Sequence, residues 1–337
     1  MARIVIDGFE LEAAVINGYR DLSFPSGITG MHGKCLGPGS NYTVASYRLP
    51  AAKSEIYVAF LHRITSDTTY GNPVLSIWGN STGSSGVVLM GTLYRSSTTP
   101  RPLFVTRDYN VTLATSPNGF LLNATKLIEV YFKLDNSVGR WIVKVDGVTE
   151  IDFTGDTNPS GTINNFDQIR LGNGRQNAFE NAGYSYWDDF IVDDANWVHS
   201  GARPSQVGVI LPDGAGNYAQ FTGDYTKIDN VPENLVEFLK TNTADHRSSF
   251  SMSGIANMES VNCIQASVRA AAAGDPAPKK IRPFLRIGGA DYEAGDTYGW
   301  WGRPKSGKKL WEINPATGLP FTPEEIDALE IGVRAVT

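Results

Sequence analysis

Asp146-Gly147 stands between two runs that alternate apolar and polar residues, Arg140–Asp146 before it and Val148–Thr154 after it. An Asp-Gly pair takes positive φ at both central positions of a tight turn with little strain, and such a turn joins two antiparallel strands. Alternation puts every second side chain on one face of a sheet. Glu55–His62 and Lys126–Lys133 repeat the pattern and are rich in β-branched and aromatic residues. Turn signals at Ser116–Gly119 and Asp135–Ser137 separate such runs, so the chain reads as a succession of hairpins.

The expected fold class is all-β: two β-sandwich (jelly-roll) domains with one short helix near the C-terminus. A length of 337 residues supports two domains, and 35 glycines and 18 prolines suit many turns. Alternation breaks at Asn196–Pro204. This places the boundary at Trp197, giving domains 1–197 and 198–337, with strands expected to resume at Gln206–Leu211. Thr322-Pro323-Glu324-Glu325 carries a capping box with proline at the first helical position, which predicts about two helical turns ending near Leu329. A last strand is then expected over Ile331–Val336. Residues before 230 lack helical periodicity over three turns, and neither repeats nor heptads occur, which excludes a fibrous shaft.

A net charge of −6 provides no basic field for a phosphate backbone or an anionic membrane. Nucleic acid and membrane insertion are therefore excluded as partners. The apolar start Ile4–Ile6 is followed at once by Asp7, Glu10 and Glu12, so no signal-peptide core is expected and synthesis in a cytoplasm is. Cys35 and Cys263 fall one to each proposed domain and read as two buried thiols.

Three segments, Trp141–Thr157, Phe166–Gly172 and Tyr186–Asp194, resemble in wording and order the closing strands of concanavalin A-like, laminin G-like jelly rolls. Further along, Arg203–Gly216, Asp229–Glu233 and Trp311–Pro323 with Ile331–Val333 resemble structural proteins of tailed bacteriophage virions. That resemblance implies a non-enzymatic virion component, a tail, baseplate or head-decoration subunit, made in the host cytoplasm. Its partners would be copies of itself and other virion proteins. The alternative it leaves is a lectin-like, carbohydrate-binding module that attaches to a host-surface glycan.

Spacing decides which chemistry the polar residues support. Glu150, Asp152 and Thr154 share one strand face by alternation, and the first two resemble the start of the catalytic strand of laminarinase-type hydrolases. The carboxylate needed next is replaced by Thr154, so the pair that retaining hydrolysis requires is incomplete. Asp188, Asp189, Asp193 and Asp194 offer oxygens that suit calcium, yet alternation sends Asp188 and Asp194 to one face and Asp189 and Asp193 to the other, with Trp187 and Ile191. Accepting backbone N–H groups of nearby loops is the preferred reading. His32, His62, His199 and His246 are scattered, and no Gly-x-Ser-x-Gly elbow precedes a helix. No catalytic residue, cofactor or metal site is therefore assigned. The rings of Tyr292, Tyr298, Trp300, Trp301 and Trp311 form the candidate contact or glycan surface, with core packing as the plainer reading.

Overall fold

The computed structural model of the chain describes residues 3–7, 35–37, 45–66, 72–80, 87–108, 111–159, 163–172, 185–197, 207–229, 236–254, 260–271, 278, 280–295, 297–298 and 305–337. These residues form antiparallel sheets with one short α-helix, which makes the chain all-β as expected. Two compact units divide it, the first closing at Val207 and the second running from Gly208 to Thr337.

The first unit contains β1 (Arg3–Asp7), β2 (Ala45–Lys53), β3 (Glu55–Ile64), β4 (Asn72–Asn80), β5 (Val87–Arg95), β6 (Pro102–Arg107), β7 (Val111–Gly119), β8 (Lys126–Lys133), β9 (Gly139–Val145), β10 (Val148–Gly155), β11 (Phe166–Leu171) and β12 (Ser185–Asp193). They form two six-stranded sheets, β1-β12-β3-β8-β9-β10 and β2-β11-β4-β5-β6-β7. The expected hairpin joins β9 to β10, with Asp146 at φ 50° and Gly147 at φ 81°. Ser116–Gly119, expected as a turn, instead ends β7. β7 lies at the edge of its sheet, where Pro117 is tolerated without a ladder N–H.

Aromatic rings from both sheets interlock in the core. Phe132 and Trp141 of one sheet meet Phe166 of the other, with Phe132 centroids 4.6 Å from Trp141 and 5.4 Å from Phe166. Tyr47 stacks on Phe190 at 4.4 Å. Each fully buried large side chain contributes roughly 1.5–3 kcal/mol. Trp141 sits directly against Gly91 of the facing sheet. A Cβ there would lie 2.7 Å from Trp141 Cζ2 and 2.9 Å from the Thr106 carbonyl, so only glycine fits.

Two register slips change which residues share a face. In β12, Asp188 lies opposite Leu61 and Ile191 opposite Ala59, with the slip between them and Asp189 at φ 48°. Trp187, Phe190 and Val192 consequently all enter the core. Ile191 instead packs with Ala59 and Val207 on the outer side. Simple alternation had grouped Trp187 with Ile191, an error of one inserted residue. A second slip lies between Thr149 and Ile151 of β10, so Glu150 is set out of phase with Asp152.

The chain after β12 stays with the first unit. Trp197 meets Tyr57 edge-on at 5.3 Å and receives Lys144 Nζ 3.7 Å from its ring centre. Val207 N donates to Asp189 Oδ1 at 2.9 Å. These contacts carry the boundary from the expected Trp197 to Val207.

The second unit holds β13 (Pro212–Ala219), β14 (Arg247–Met252), β15 (Ile264–Ala270), β16 (Lys280–Ile287), β17 (Ala290–Glu293), β18 (Thr297–Tyr298), β19 (Lys305–Trp311), α1 (Pro323–Ala328) and β20 (Glu330–Val336). Its main sheet runs β13-β14-β20-β16-β17 with β18 beside β16, and β15 and β19 form a separate ribbon. The strand expected at Gln206–Leu211 is absent from its described part, residues 207–211, and β13 follows it. β13 is anchored by hydroxyls: Tyr218 N donates to Ser249 Oγ and Phe221 N to Ser248 Oγ, each at 3.0 Å. α1 begins as predicted, with Glu325 N donating to Thr322 Oγ1 at 3.3 Å and Thr322 N to Glu325 Oε2 at 2.9 Å. Its Ile326 enters a core with Phe250, Leu285 and Trp311.

His62 is 5% exposed, with its ring 5.3 Å from that of Trp187. Burial, assisted by the charge of Arg95, lowers its pKa to about 3. The unfolded chain therefore takes up a proton near the ordinary histidine pKa that the folded chain refuses. The His62 contribution to stability is complete above that pKa of about 6.5 and is lost as pH falls towards 3.

Two outcomes are expected. Gly91→Ala lowers stability by about 1–3 kcal/mol in denaturant titration, because Trp141 has no room to retreat. His62→Phe flattens the pH dependence of stability between pH 6 and 4, removing a slope of up to about 1.4 kcal/mol per pH unit.

Candidate functional site

On the outer face of the β2–β7 sheet, register aligns one polar residue from each of six strands. Ser46 lies opposite Arg170, Arg170 opposite Ser76, Ser76 opposite Thr92, Thr92 opposite Thr106, and Thr106 opposite Thr112. Ser46 alternates with core residues Ala45 and Tyr47, and Ser76 with Leu75 and Ile77. The row therefore points away from the core. Ser46, Ser76, Thr92, Thr106 and Arg170 are nevertheless buried, whereas Thr112 at the β7 end is exposed.

Side-chain bonds fix the enclosed end. Arg170 donates from Nε and Nη2 to Gln168 Oε1 at 3.1 and 2.7 Å, and Gln168 Nε2 donates to Ser46 Oγ. The Arg170 guanidinium lies 4.0 Å from the centre of the Trp78 ring, and Trp78 Nε1 donates to Ser76 Oγ at 2.8 Å. Tyr94 and Phe104 stack at 5.1 Å on the other side of the row. Hydroxyls, a planar cation and flat rings on one surface are the groups that hold a pyranose: hydroxyls for its hydroxyls, a ring for its C–H face, and a guanidinium for a carboxylate.

The residues weighed from sequence lie elsewhere. Asp152 pairs with Arg140 through two bonds of 3.1 and 2.9 Å, while Glu150 accepts from Asn118 Nδ2 at 3.1 and 3.0 Å. The β10 slip thus gives the two carboxylates different partners. Asp193 Oδ1 accepts from the backbone N–H groups of Ala195 and Asn196 at 2.8 and 3.1 Å, and Asp194 pairs with Lys53 at 2.6 Å. The acids of β12 accordingly cap loops and pair with lysine. Trp311 is buried in the core of the second unit, and Tyr292 lies opposite Leu285 on the core-facing row of β17. Tyr298 pairs through its backbone with Lys280. Trp300 and Trp301 lie outside the described residues.

The second unit carries its own charged cluster. Arg247, Arg334 and Arg282 lie opposite one another across β14, β20 and β16, an arrangement that destabilises a sheet unless the charges are offset. Glu293 reaches all three, at 3.4 Å from Arg247, 2.8 Å from Arg334 and 2.8 Å from Arg282. Asp291 pairs with Arg247 and, at 2.7 Å, with Arg286. Burial would raise the Glu293 carboxyl, but the hydrogen bonds and charges of Arg282 and Arg334 outweigh it and hold the group below its ordinary value. Each arginine here has a carboxylate, so the cluster serves the sheet.

No family model and no curated protein matches the chain. Among solved structures it is similar to the alginate lyase Aly36B, at 14% identity and a TM-score of 0.39, over 58% of this chain and 98% of that one. It is similar also to Trypanosoma rangeli sialidase, at 9% identity and a TM-score of 0.40, over 56% of this chain and 30% of that one. At such identities the likeness concerns fold and assigns no activity. These neighbours nonetheless correct two expectations. They are enzymes of carbohydrate chemistry, so neither the non-enzymatic virion reading nor the expectation that the chain is not an enzyme is retained.

Glu293→Gln keeps the shape but removes the charge that three arginines share. It is expected to lower the stability of the second unit by about 1–3 kcal/mol at pH 7. The depressed carboxyl stabilises the fold above its unfolded pKa, and that contribution is lost as pH falls through the lower folded value. Thermal scans from pH 7 to 3 should therefore show the gap between the two proteins closing at the acid end.

Proposed function

We propose that the first unit is a carbohydrate-active domain that takes an acidic polysaccharide on the outer face of the β2–β7 sheet. The observation that carries this reading is the row Ser46–Arg170–Ser76–Thr92–Thr106–Thr112. Six polar side chains in register across a whole sheet do not serve its hydrophobic core, which lies on the other face. Rings flank the row on both sides, Trp78 on one and Tyr94 with Phe104 on the other.

Arginine decides the class of sugar. Arg170 belongs to the row, and Arg48, which pairs with Asp167 at 3.1 Å, lies opposite Gln168 on the same face, so guanidinium groups accompany the hydroxyls and suit a uronate carboxylate better than a neutral glucan. The row contains no carboxylate, and two-carboxylate hydrolysis does not suit it. The row is buried from β2 through β6 and exposed at Thr112 of β7, so a sugar would enter from the β7 edge.

The test is affinity electrophoresis of the whole protein through gels containing a polyuronate or a neutral glucan, with unsaturated uronate product followed by ultraviolet absorbance. Retardation only in the polyuronate gel is expected. Phe104→Ala, which removes a half-buried ring, and Arg170→Gln should each weaken it on the order of tenfold. Equal mobility in both gels, or variants that bind like the parent, would sink the proposal.

A further inference from the structure

The outer face of the β1–β10 sheet carries a cluster of its own. Val58, Phe132 and Val143 face the core, so Tyr57, Tyr131 and Lys144, which alternate with them, face outward. Tyr57 of β3 lies opposite Tyr131 of β8, with ring centres 4.7 Å apart. Trp197, seated on Tyr57, brings a third ring 6.4 Å from Tyr131. All three are half-buried, so each presents part of its surface to solvent.

Two lysines border these rings, and neither takes the partner that the ladder offers. Lys133 stands opposite Glu55, whose Oε2 instead accepts from the Tyr131 hydroxyl at 2.7 Å. Lys144 stands opposite Glu129 but places Nζ over the Trp197 ring, 3.7 Å from its centre. Among the described residues no carboxylate lies within ion-pair distance of either ammonium. Arg140 of β9, by contrast, is satisfied by Asp152 through two bonds. Lys133 lies opposite Arg140, and four residues of β9 separate Arg140 from Lys144, so the two lysines are anchored roughly 13–14 Å apart along the strands. One sugar acid is too short to meet both.

We propose, on the reading that the first unit takes an acidic polysaccharide, that this face is a second contact for the same polymer: uronate carboxylates pair with Lys133 and Lys144 while a sugar lies on the Tyr57 and Tyr131 rings. Pyranose C–H groups replace water on the rings, and each ammonium gains a charge-assisted hydrogen bond. The Tyr57 hydroxyl has no hydrogen-bond partner among the described residues and is available to a sugar hydroxyl. Affinity then depends on chain length, because a short oligomer reaches one lysine and a longer one reaches both.

Affinity electrophoresis of the whole protein in polyuronate gels at low ionic strength reads both faces. Lys133→Gln and Lys144→Gln are each expected to weaken retardation about twofold to fivefold, and Tyr57→Leu by a similar factor that survives added salt. A uronate hexamer should compete far better than a dimer. Melting temperatures close to that of the parent show that the variants fold. Lysine variants that run as the parent, while Arg170→Gln loses retardation, overturn the second contact and leave the polar row as the site. A parent that is not retarded at all sinks the polysaccharide reading itself, and this contact with it. Poly-glutamate that competes as well as polyuronate of equal charge also overturns the proposal, since the face then takes an acidic peptide.

Discussion

Contact between Trp141 and Gly91 sets how closely the two sheets of the first unit approach, and much else follows from that separation. Stacked sheets lie about 10 Å apart, filled by side chains from both inner faces. Phe132, Trp141, Phe166, Tyr47 and Phe190 fill the layer in ring-on-ring contact, which leaves each strand committed to one phase of alternation. Once Ala45, Tyr47, Leu75, Ile77, Leu93 and Val105 face inward, Ser46, Ser76, Thr92 and Thr106 must face outward. The polar row is in this sense a by-product of the core.

Long, regular strands were legible in the sequence because alternation, β-branching and turn chemistry agreed there. Glu55–His62 became Glu55–Ile64, and Lys126–Lys133 was unchanged. The capping box likewise placed α1, since its two reciprocal bonds depend on four adjacent residues alone. Failures arose where a strand was made by something outside itself. The strand expected at Gln206–Leu211 gives way to an edge strand at Pro212–Ala219, where Gly216 allows Ser249 and Glu330 to reach its backbone; a Cβ there would lie 2.5 Å from Glu330 Oε2.

The candidate site was hidden for a related reason. Its members are single Ser, Thr and Arg residues set between apolar neighbours in separate strands, and each alone is ordinary surface composition. Only the register between strands brings Ser46, Arg170 and Ser76 side by side. Alternation within a strand carries no information about pairing between strands. The aromatic segment near the C-terminus attracted attention because it is contiguous, whereas Trp311 proved to be core.

The seat of Trp197 on Tyr57 and Lys144 gives the first unit a handedness of use. A two-sheet sandwich begins with two equivalent outer surfaces. Here the chain leaving β12 folds back over one of them and occupies it with its own indole and with Val207. Part of that surface is therefore covered by residues that follow β12.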